Sequence, residues 1–370
     1  MADDQQASRR EFLRGKSALR ALLGRTQKAA DDAARILAET RSARAAAASP
    51  GALLSATRRA MATEFAIDYR AAGGVDATDA ALAALATVAQ VEDQLTIYRD
   101  WSEVVEINQN AATRAVEVAP DLFKLLQLSD WLARATGGAF DVTSGPLSRV
   151  WGFFRREGRV PVDDELAAAR AVVGYDKLDL CAEMSTIRFA QRGVEINFNS
   201  IGKGYALDRA ANLLLERGVE EFLMHGGRSS VVAWGSPRGD SAAGWIIGVP
   251  HPLRPGENAG EVRLCNRALG TAGAGTQFFE HEGRRYGHVI DPRTGWPAEG
   301  VFTATAIAAT AAEADALATA FYVLGPGGAA EYCAAHDDVA AVLVCPSAGE
   351  APYDVHALNL EASDWARTDG

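Results

Sequence analysis

The sequence predicts an α+β fold with a mixed or antiparallel sheet, and three observations support this prediction. Helical and strand-like stretches are interspersed along the chain without a regular βαβ alternation. No segment repeats at a period of roughly 20 to 50 residues. The 370 residues, 48% of them apolar, are enough for a sizeable core in one large domain or two small ones.

The first segment, residues 1–57, is predicted to be a charged helical extension whose helix covers residues 9–47 and stops at Ser49-Pro50-Gly51. It contains Ser8-Arg9-Arg10-Glu11-Phe12-Leu13, which resembles a twin-arginine export motif. A working signal would next need an apolar stretch of roughly 7 to 15 residues, and charged side chains interrupt every apolar run here. We therefore expect a cytoplasmic protein, with a periplasmic or membrane-associated location as the alternative.

The main domain is predicted over residues 58–362, followed by a tail over 363–370. Its apolar patterning predicts helices over residues 78–94, 120–136, 203–217 and 311–324. Strands are predicted over residues 63–69, 194–198, 220–224, 231–234, 245–249 and 339–344. The Gly137-Gly138 pair lies just past the second helix, where glycine commonly ends a helix.

Composition excludes several classes of protein. A net charge of −11 and a pI near 5.1 argue against nucleic-acid binding, because the phosphate backbone would be repelled. The four cysteines show neither zinc-ligand nor disulfide-framework spacing. No apolar run approaches the roughly 20 residues that a membrane-spanning helix needs. Any anionic ligand must therefore be held by local groups such as backbone N–H, a metal ion or a few basic side chains.

One candidate for anion binding is Gly202-Lys203-Gly204, which precedes a predicted helix. The N–H groups at a helix start, together with a lysine, can bind a phosphate. The segment is not a Walker A loop, because the glycine spacing differs and no Ser or Thr follows the lysine. An ordinary turn is the alternative.

A candidate metal site consists of Asp315 and Thr319, which are four residues apart and so share one helix face. Two hard oxygen ligands suit Mg²⁺, which completes its coordination with water and substrate phosphate. A solvated helix face is the alternative. The surrounding Ala and Leu residues favour the metal interpretation, because a carboxylate in apolar surroundings needs a partner.

A candidate acid–base site is the segment 287–295, in which His288 lies close to Asp291 and to a turn rich in Pro and Gly. Histidine titrates near neutral pH, which suits proton transfer. A structural turn, in which Asp291 and Thr294 satisfy backbone groups, is the alternative.

Seven segments in order resemble the ApbE-like family of FAD:protein FMN transferases over residues 58–360. They are Met61-Ala62-Thr63; Tyr98 with Ser102-Glu103 and Asn108; residues 136–147 with Ala139-Phe140-Asp141; residues 197–208 with Lys203; Gly226-Gly227; residues 288–295; and residues 314–319. Three segments depart from the family pattern, namely 197–200, 224–228 and 271–275.

This resemblance implies an ApbE-like, T-fold-like architecture and a site for FAD and Mg²⁺. It implies Asp315, Thr319 and a carbonyl near Ser200 as metal ligands, His288 as an aid to proton transfer, and Lys203 as a contact to phosphate. The cofactor-binding residues that it implies are Met61, Tyr98, Ala139, Phe140, Asp141, Lys203, Gly226, Gly227, Thr271, His288, Ile290 and Asp291.

The implied reaction is Mg²⁺-dependent transfer of FMN from FAD to a Thr or Ser hydroxyl of an acceptor flavoprotein, with release of AMP. Hydrolysis of FAD to FMN and AMP is one alternative. The other is a non-catalytic FAD-binding or scaffold protein, which the three departures and the added N-terminal segment favour.

Overall fold

The structure is a computed structural model that describes residues 52–70, 76–237, 244–273, 275 and 277–368. The helix predicted over residues 9–47 and its arginine motif lie outside these residues. From Leu53 onward the chain forms one compact unit.

Sixteen strands are present in the described ranges. In chain order they are β1 (Leu53–Ala60), β2 (Thr63–Arg70), β3 (Val116–Glu117), β4 (Leu178–Cys181), β5 (Thr186–Phe189), β6 (Phe222–Gly226), β7 (Ser230–Trp234), β8 (Trp245–Pro250), β9 (Asn258–Leu264), β10 (Arg267–Gly273), β11 (Phe278–His281), β12 (Arg284–Gly287), β13 (Thr303–Ala308), β14 (Ala340–Pro346), β15 (Tyr353–Leu358) and β16 (Trp365–Arg367).

Eight of these strands form the main sheet, in the order β1-β2-β6-β7-β10-β13-β14-β15. Every neighbouring pair in it is antiparallel, which confirms the antiparallel alternative of the predicted fold class. Three small sheets accompany it: the hairpin β11-β12 and the three-stranded sheets β3-β5-β4 and β16-β9-β8.

Seven α-helices lie between the strands of the described chain. They are α1 (Ala77–Leu95), α2 (Glu103–Asn110), α3 (Pro120–Ala135), α4 (Gly145–Val150), α5 (Asp163–Ala171), α6 (Gly202–Glu216) and α7 (Ala311–Ala335). The four predicted helices correspond to α1, α3, α6 and the first part of α7. The last helix breaks at Gly325, whose φ of 70° is not helical, and Pro326 then begins a second helical stretch.

Alternating side chains of the main sheet enter two different cores, as the twofold period of a strand requires. Ala341 and Leu343 of β14 belong to a core shared with α1, α6 and α7. Val342 and Val344 of the same strand belong to a core shared with β8 and β9. The sheet is therefore the middle of three layers. The helices, among them α7 with Asp315, cover one face of the sheet.

The strand predicted over residues 194–198 is wrong. Its backbone bonds to the Asn108 side chain and, through the Asn197 N–H, to the Val142 carbonyl, and not to a neighbouring strand. Asn108 donates from Nδ2 to the Ile196 carbonyl at 3.0 Å and accepts from the Ile196 N–H at 2.8 Å. The alternating apolar residues of this segment are buried in the core, so they resemble a strand pattern without belonging to a sheet.

Both ends of the described chain contribute strands to the compact unit. Strand β1 begins at Leu53, ahead of the predicted boundary at 57/58, and pairs with β2. Strand β16 lies within the segment predicted as a tail and pairs with β9. All four cysteines are free thiols, as expected. None of the described helices is long and apolar enough to cross a bilayer.

Candidate active site

Most of the predicted site residues line one cleft of about 450 Å³. They come from loops, from strand β10, from the first turn of α6, from the N-terminal part of α7, and from the segment after β12. The predicted residues that line the cleft are Tyr98, Ala139, Asp141, Ser200, Lys203, Thr271, His288, Ile290, Asp315 and Thr319. Met61, Phe140, Gly226, Gly227 and Asp291 do not line it.

Asp315 is 6% exposed, and its hydrogen bonds converge on one oxygen. Oδ2 accepts from the Gly204 N–H at 2.8 Å and from the Ser230 hydroxyl at 2.9 Å, and Lys203 Nζ lies 4.0 Å from it. Burial raises the pKa of Asp315, while Lys203, Ser230 and Gly204 oppose that rise. Within the described part of the chain no group donates to Oδ1.

Two glycines permit the close packing that brings Asp315 to this position. A Cβ on Gly204 would collide with the backbone carbonyl of Ala311, and one on Gly270 would collide with the carbonyl of Ala314. Helix α7 therefore lies directly against the start of α6 and the middle of β10. The Gly204 N–H, one of the free donors at the start of α6, is in this way satisfied by a side chain of α7.

Asp208 fixes the start of α7 and was not singled out by the sequence reasoning. Its two carboxylate oxygens accept from the N–H groups of Ala311 and Ala312 at 2.7 and 2.8 Å. Burial raises the pKa of Asp208 to about 7, and these two hydrogen bonds oppose the rise. Asp208 is far from α7 in the sequence, so the usual spacing between an N-cap residue and its helix is absent. No local sequence pattern therefore identifies this carboxylate as the cap.

The oxygens around Asp315 fit a hard cation. Thr319 donates its hydroxyl to the Asp315 carbonyl at 3.2 Å, which leaves the lone pairs of that hydroxyl as acceptors. Ser200 lines the same cleft. Among the described residues no group of three or more His, Cys, Asp or Glu could hold a metal. One carboxylate with neutral oxygens matches Mg²⁺, which keeps water and takes substrate phosphate, better than a transition metal.

His288 is placed to accept a proton. Its Nδ1 lies 3.2 Å from the Gln277 carbonyl, which can only accept, so Nδ1 bears the hydrogen and Nε2 keeps its lone pair. Burial lowers the pKa of His288; the Gln277 hydrogen bond opposes this shift, and Lys203 adds a smaller contribution that lowers the pKa further. The ring is therefore neutral near pH 7.

The carboxylate of Asp291 is occupied by its own turn. Arg293 donates to both of its oxygens at 2.9 Å from Nε and from the guanidinium NH2. The buried Trp151 donates to the Gly295 carbonyl at 2.8 Å and anchors the turn from the other side. The geometry of Asp291 thus matches the alternative of a structural turn, whereas His288 faces the cleft.

Asp141 also has a structural set of partners, although it lines the cleft. Its Oδ1 accepts from the N–H and hydroxyl of Thr143 at 2.8 and 2.7 Å, and its Oδ2 accepts from the Tyr175 N–H at 2.8 Å. Burial raises its pKa, while these bonds oppose the rise. Ala139 borders the cleft beside it, and Phe140 is buried in the core.

Met61 and the Gly226-Gly227 pair lie at two hairpin turns. Met61 is in the turn between β1 and β2 with a φ of 48°. Gly227 has a φ of 62°, and its N–H donates to the Glu64 carbonyl at 2.8 Å. A Cβ on Gly227 would lie 2.6 Å from the Thr63 hydroxyl oxygen, so close packing against β2 requires glycine there.

The sequence reasoning predicted Tyr98 but missed several other residues at the mouth of the cleft. Tyr98 is 66% exposed and stacks on one of these, Phe154, with ring centroids 5.3 Å apart. Arg149 covers the Phe154 ring, with its guanidinium carbon 4.7 Å from the centroid. Arg156 and Gln277 also line the cleft. A usable signal was present, since four arginines interleave with aromatic residues over residues 149–159.

Comparisons with known proteins agree with the geometry. The sequence model of the ApbE family matches residues 61–343. The chain is 31% identical over 292 residues to an FAD:protein FMN transferase of Haemophilus influenzae, covering 75% of this chain and 83% of the relative. It is 33% identical over 262 residues to one of Treponema pallidum, covering 66% and 72%.

Solved structures are similar as well. The ApbE protein of Thermotoga maritima aligns with a TM-score of 0.75 and 27% identity over 83% of this chain and 97% of that one. The flavin transferase ApbE of Vibrio cholerae aligns with a TM-score of 0.73 and 25% identity over 84% and 98%.

Proposed function

The chain belongs to the ApbE family, and we propose that this transferase moves FMN from FAD to a threonine or serine hydroxyl of an acceptor flavoprotein, with Mg²⁺ as its metal. The observation that supports this most strongly is the meeting of three groups in one cleft. These are a buried carboxylate with one open oxygen, a lysine beside it, and a neutral histidine: Asp315, Lys203 and His288.

The reaction forms one bond and breaks one. The acceptor hydroxyl oxygen attacks the FMN phosphorus of FAD, and the bond from that phosphorus to the bridging oxygen breaks. AMP leaves with the bridging oxygen, and the hydroxyl proton is released. The acceptor then bears FMN through a phosphodiester, and no oxidant or reductant is needed.

His288 accepts the hydroxyl proton at Nε2, because the Gln277 carbonyl holds the hydrogen on Nδ1. Its lowered pKa keeps it in the accepting form at neutral pH. Lys203 places a positive charge beside the phosphates, where negative charge accumulates as AMP leaves.

Asp315 Oδ1 and the Thr319 hydroxyl would hold Mg²⁺, and Ser200, which lines the same cleft, would add an oxygen. When bound, the ion neutralises charge on the FAD pyrophosphate. Ser230 and Gly204 keep the Asp315 carboxylate in one orientation, so the open oxygen faces the cleft before any ligand arrives.

The test is an incubation of the purified protein with FAD, Mg²⁺ and an acceptor polypeptide that carries a threonine. AMP is measured by chromatography, and the acceptor by intact mass. We expect AMP and flavin-labelled acceptor in equal amounts, and neither product when EDTA replaces Mg²⁺.

Other outcomes separate the competing functions. AMP together with free FMN, and no labelled acceptor, would identify FAD hydrolysis. Bound but unchanged FAD would identify a non-catalytic binding protein. Either result contradicts the proposed transfer.

A further inference from the structure

A second groove, of about 370 Å³, is continuous with the cleft. We call it the side groove, and it is lined by Phe153, Arg156, Gly158, Gln277, Phe278 and Phe279. Phe153, Arg156 and Gln277 also line the cleft. A ligand that enters the cleft can therefore extend into the side groove without leaving the protein surface.

The side groove opens beside the proposed proton acceptor. The Gln277 carbonyl accepts from the backbone N–H of His288 at 3.2 Å and lies 3.2 Å from Nδ1 of its ring. The Gln277 side chain donates to the Phe153 carbonyl at 3.2 Å and so joins the two sides of the groove. A hydroxyl at His288 is thus at the inner end of this groove.

Arg156 gives the side groove an uncompensated positive charge. Its side chain is exposed and has no hydrogen bond or ion pair with any described residue. Two other arginines of the same segment are paired, Arg149 with Glu195 at 2.6 Å and Arg159 with Glu165 at 2.7 Å. Arg155 also has no partner among the described residues, but Arg156 is the one of these two that lines both the cleft and the side groove. In a protein with a net charge of −11, such a guanidinium can bind a carboxylate or phosphate.

The remaining wall of the groove is aromatic. Phe278 is 43% exposed, and the guanidinium of Arg285 lies over its ring, 3.4 Å from the centroid. Phe279 packs against Gly158 at the base. An apolar wall beside a guanidinium fits a stretch of polypeptide that has acidic side chains, rather than a second nucleotide phosphate.

We propose that the side groove binds the acceptor segment next to the modified hydroxyl, and that Arg156 selects acceptors with a carboxylate side chain there. This inference rests on the proposed transfer reaction. The acceptor hydroxyl has to reach His288 while the rest of the acceptor stays outside. The side groove shares with the cleft both Gln277, whose carbonyl contacts His288, and the unpaired Arg156.

The first test measures binding alone. Two fluorescent synthetic peptides each contain one threonine, flanked by glutamates in one and by glutamines in the other. Fluorescence anisotropy of the full-length protein should show that the glutamate peptide binds about tenfold more tightly or better, the effect of one charge-assisted hydrogen bond. Equal binding of the two peptides, or no binding of either, would overturn the inference.

Three variants locate the effect. Arg156 has a φ of 58°, so Arg156→Gly removes the side chain without straining the turn, and Arg156→Glu reverses the charge. Both should reduce the preference for the glutamate peptide to about threefold or less. Arg155→Glu is the matched control, because Arg155 is also exposed and lines neither the cleft nor the side groove. An equal loss in Arg155→Glu would show a diffuse surface field and contradict a site at Arg156.

The second test follows transfer of flavin to the same peptides and separates this inference from the reaction on which it rests. Selective binding that depends on Arg156, without flavin on any acceptor, would refute the transfer and keep the groove assignment. Equal transfer by the parent protein and Arg156→Gly would keep the transfer and refute the groove assignment. If Arg156→Gly binds FAD more weakly but keeps the peptide preference, Arg156 acts in FAD binding, and the groove assignment is refuted.

Discussion

Two parts of the cleft differ in how their polar groups are satisfied. We call them the wall, which contains Asp315, and the rim, which contains Tyr98, Phe154 and Arg156. Asp315 is 6% exposed and accepts two hydrogen bonds from groups on α6 and β7. Tyr98, on the rim, is 66% exposed, and the Arg156 side chain has no partner among the described residues.

This difference indicates which part of the site is ready before substrate binds. The protein itself orients the Asp315 wall, so under the proposed function its groups would act on the reacting phosphate without reorganisation. On the rim, the exposed Tyr98–Phe154 pair and the unpaired Arg156 are open to a ligand, so they would determine which substrate is bound and how tightly. Variants of the wall should therefore change the rate of the chemical step, and variants of the rim should change affinity and selectivity.

The largest effect is expected for Asp315→Asn. The amide keeps the shape and can still accept from Ser230, but it removes the charge that would hold Mg²⁺. We expect the rate of AMP release to fall about 10²- to 10³-fold. The melting temperature should be unchanged or higher, because burial raises the pKa of Asp315 and its charge therefore costs folding free energy. A rate close to that of the parent protein would refute the metal assignment.

A loss of about 100-fold is expected for His288→Gln, which removes the proton acceptor. In the parent protein kcat/KM should decrease as the pH falls through the pKa of His288, which burial places below its ordinary value of 6.5. The variant should show no such acid limb. If the acid limb persists in His288→Gln, another group is responsible for the titration.

The close packing of α7 is tested by Gly204→Ala. The new Cβ would collide with the Ala311 carbonyl, so we expect a loss of about 3 kcal/mol or more in the free energy of unfolding by urea. Gly327→Ala is the control, because a Cβ there meets nothing within 4 Å and the φ is not positive. It should leave stability unchanged or raise it by up to about 1 kcal/mol. Similar free energies of unfolding for the two variants would contradict the close approach of α7 to α6.

The smallest effect is expected for Phe154→Ala on the rim. This change removes the ring on which Tyr98 stacks, and such pairs contribute about 0.5 to 1.5 kcal/mol. KM for FAD should rise about threefold to tenfold while kcat stays within about twofold. A large fall in kcat at unchanged KM would place the rim in the chemical step.

The contrast between wall and rim also separates what the sequence could and could not predict. Asp315 and Thr319 were predicted as neighbours because a helix places residues four apart on one face. Four of the helices followed from apolar periodicity, which is a signal within one short segment. The prediction of a mixed or antiparallel sheet followed from the absence of a regular βαβ alternation along the chain.

Features that depend on contacts between distant segments could not be predicted. The segment 194–198 resembled a strand because its apolar residues alternate, but Asn108, nearly 90 residues earlier, bonds to the backbone of Ile196 in place of a neighbouring strand. Tyr98 and Phe154 meet only in the folded chain, so no local pattern links them. Asp291 was predicted to bind cofactor; it lies in a turn that the distant Trp151 anchors through the Gly295 carbonyl, and in the structure it does not line the cleft.

The most direct test of the division between wall and rim is the initial rate of AMP release at increasing Mg²⁺ for the parent protein, Asp315→Asn and Phe154→Ala, with FAD and acceptor at saturation. We predict that the parent protein and Phe154→Ala reach half their maximal rates at the same Mg²⁺ concentration, while Asp315→Asn stays slow and does not respond to Mg²⁺. An Asp315→Asn variant with the Mg²⁺ response of the parent protein, or a Phe154→Ala variant that loses it, would contradict this account.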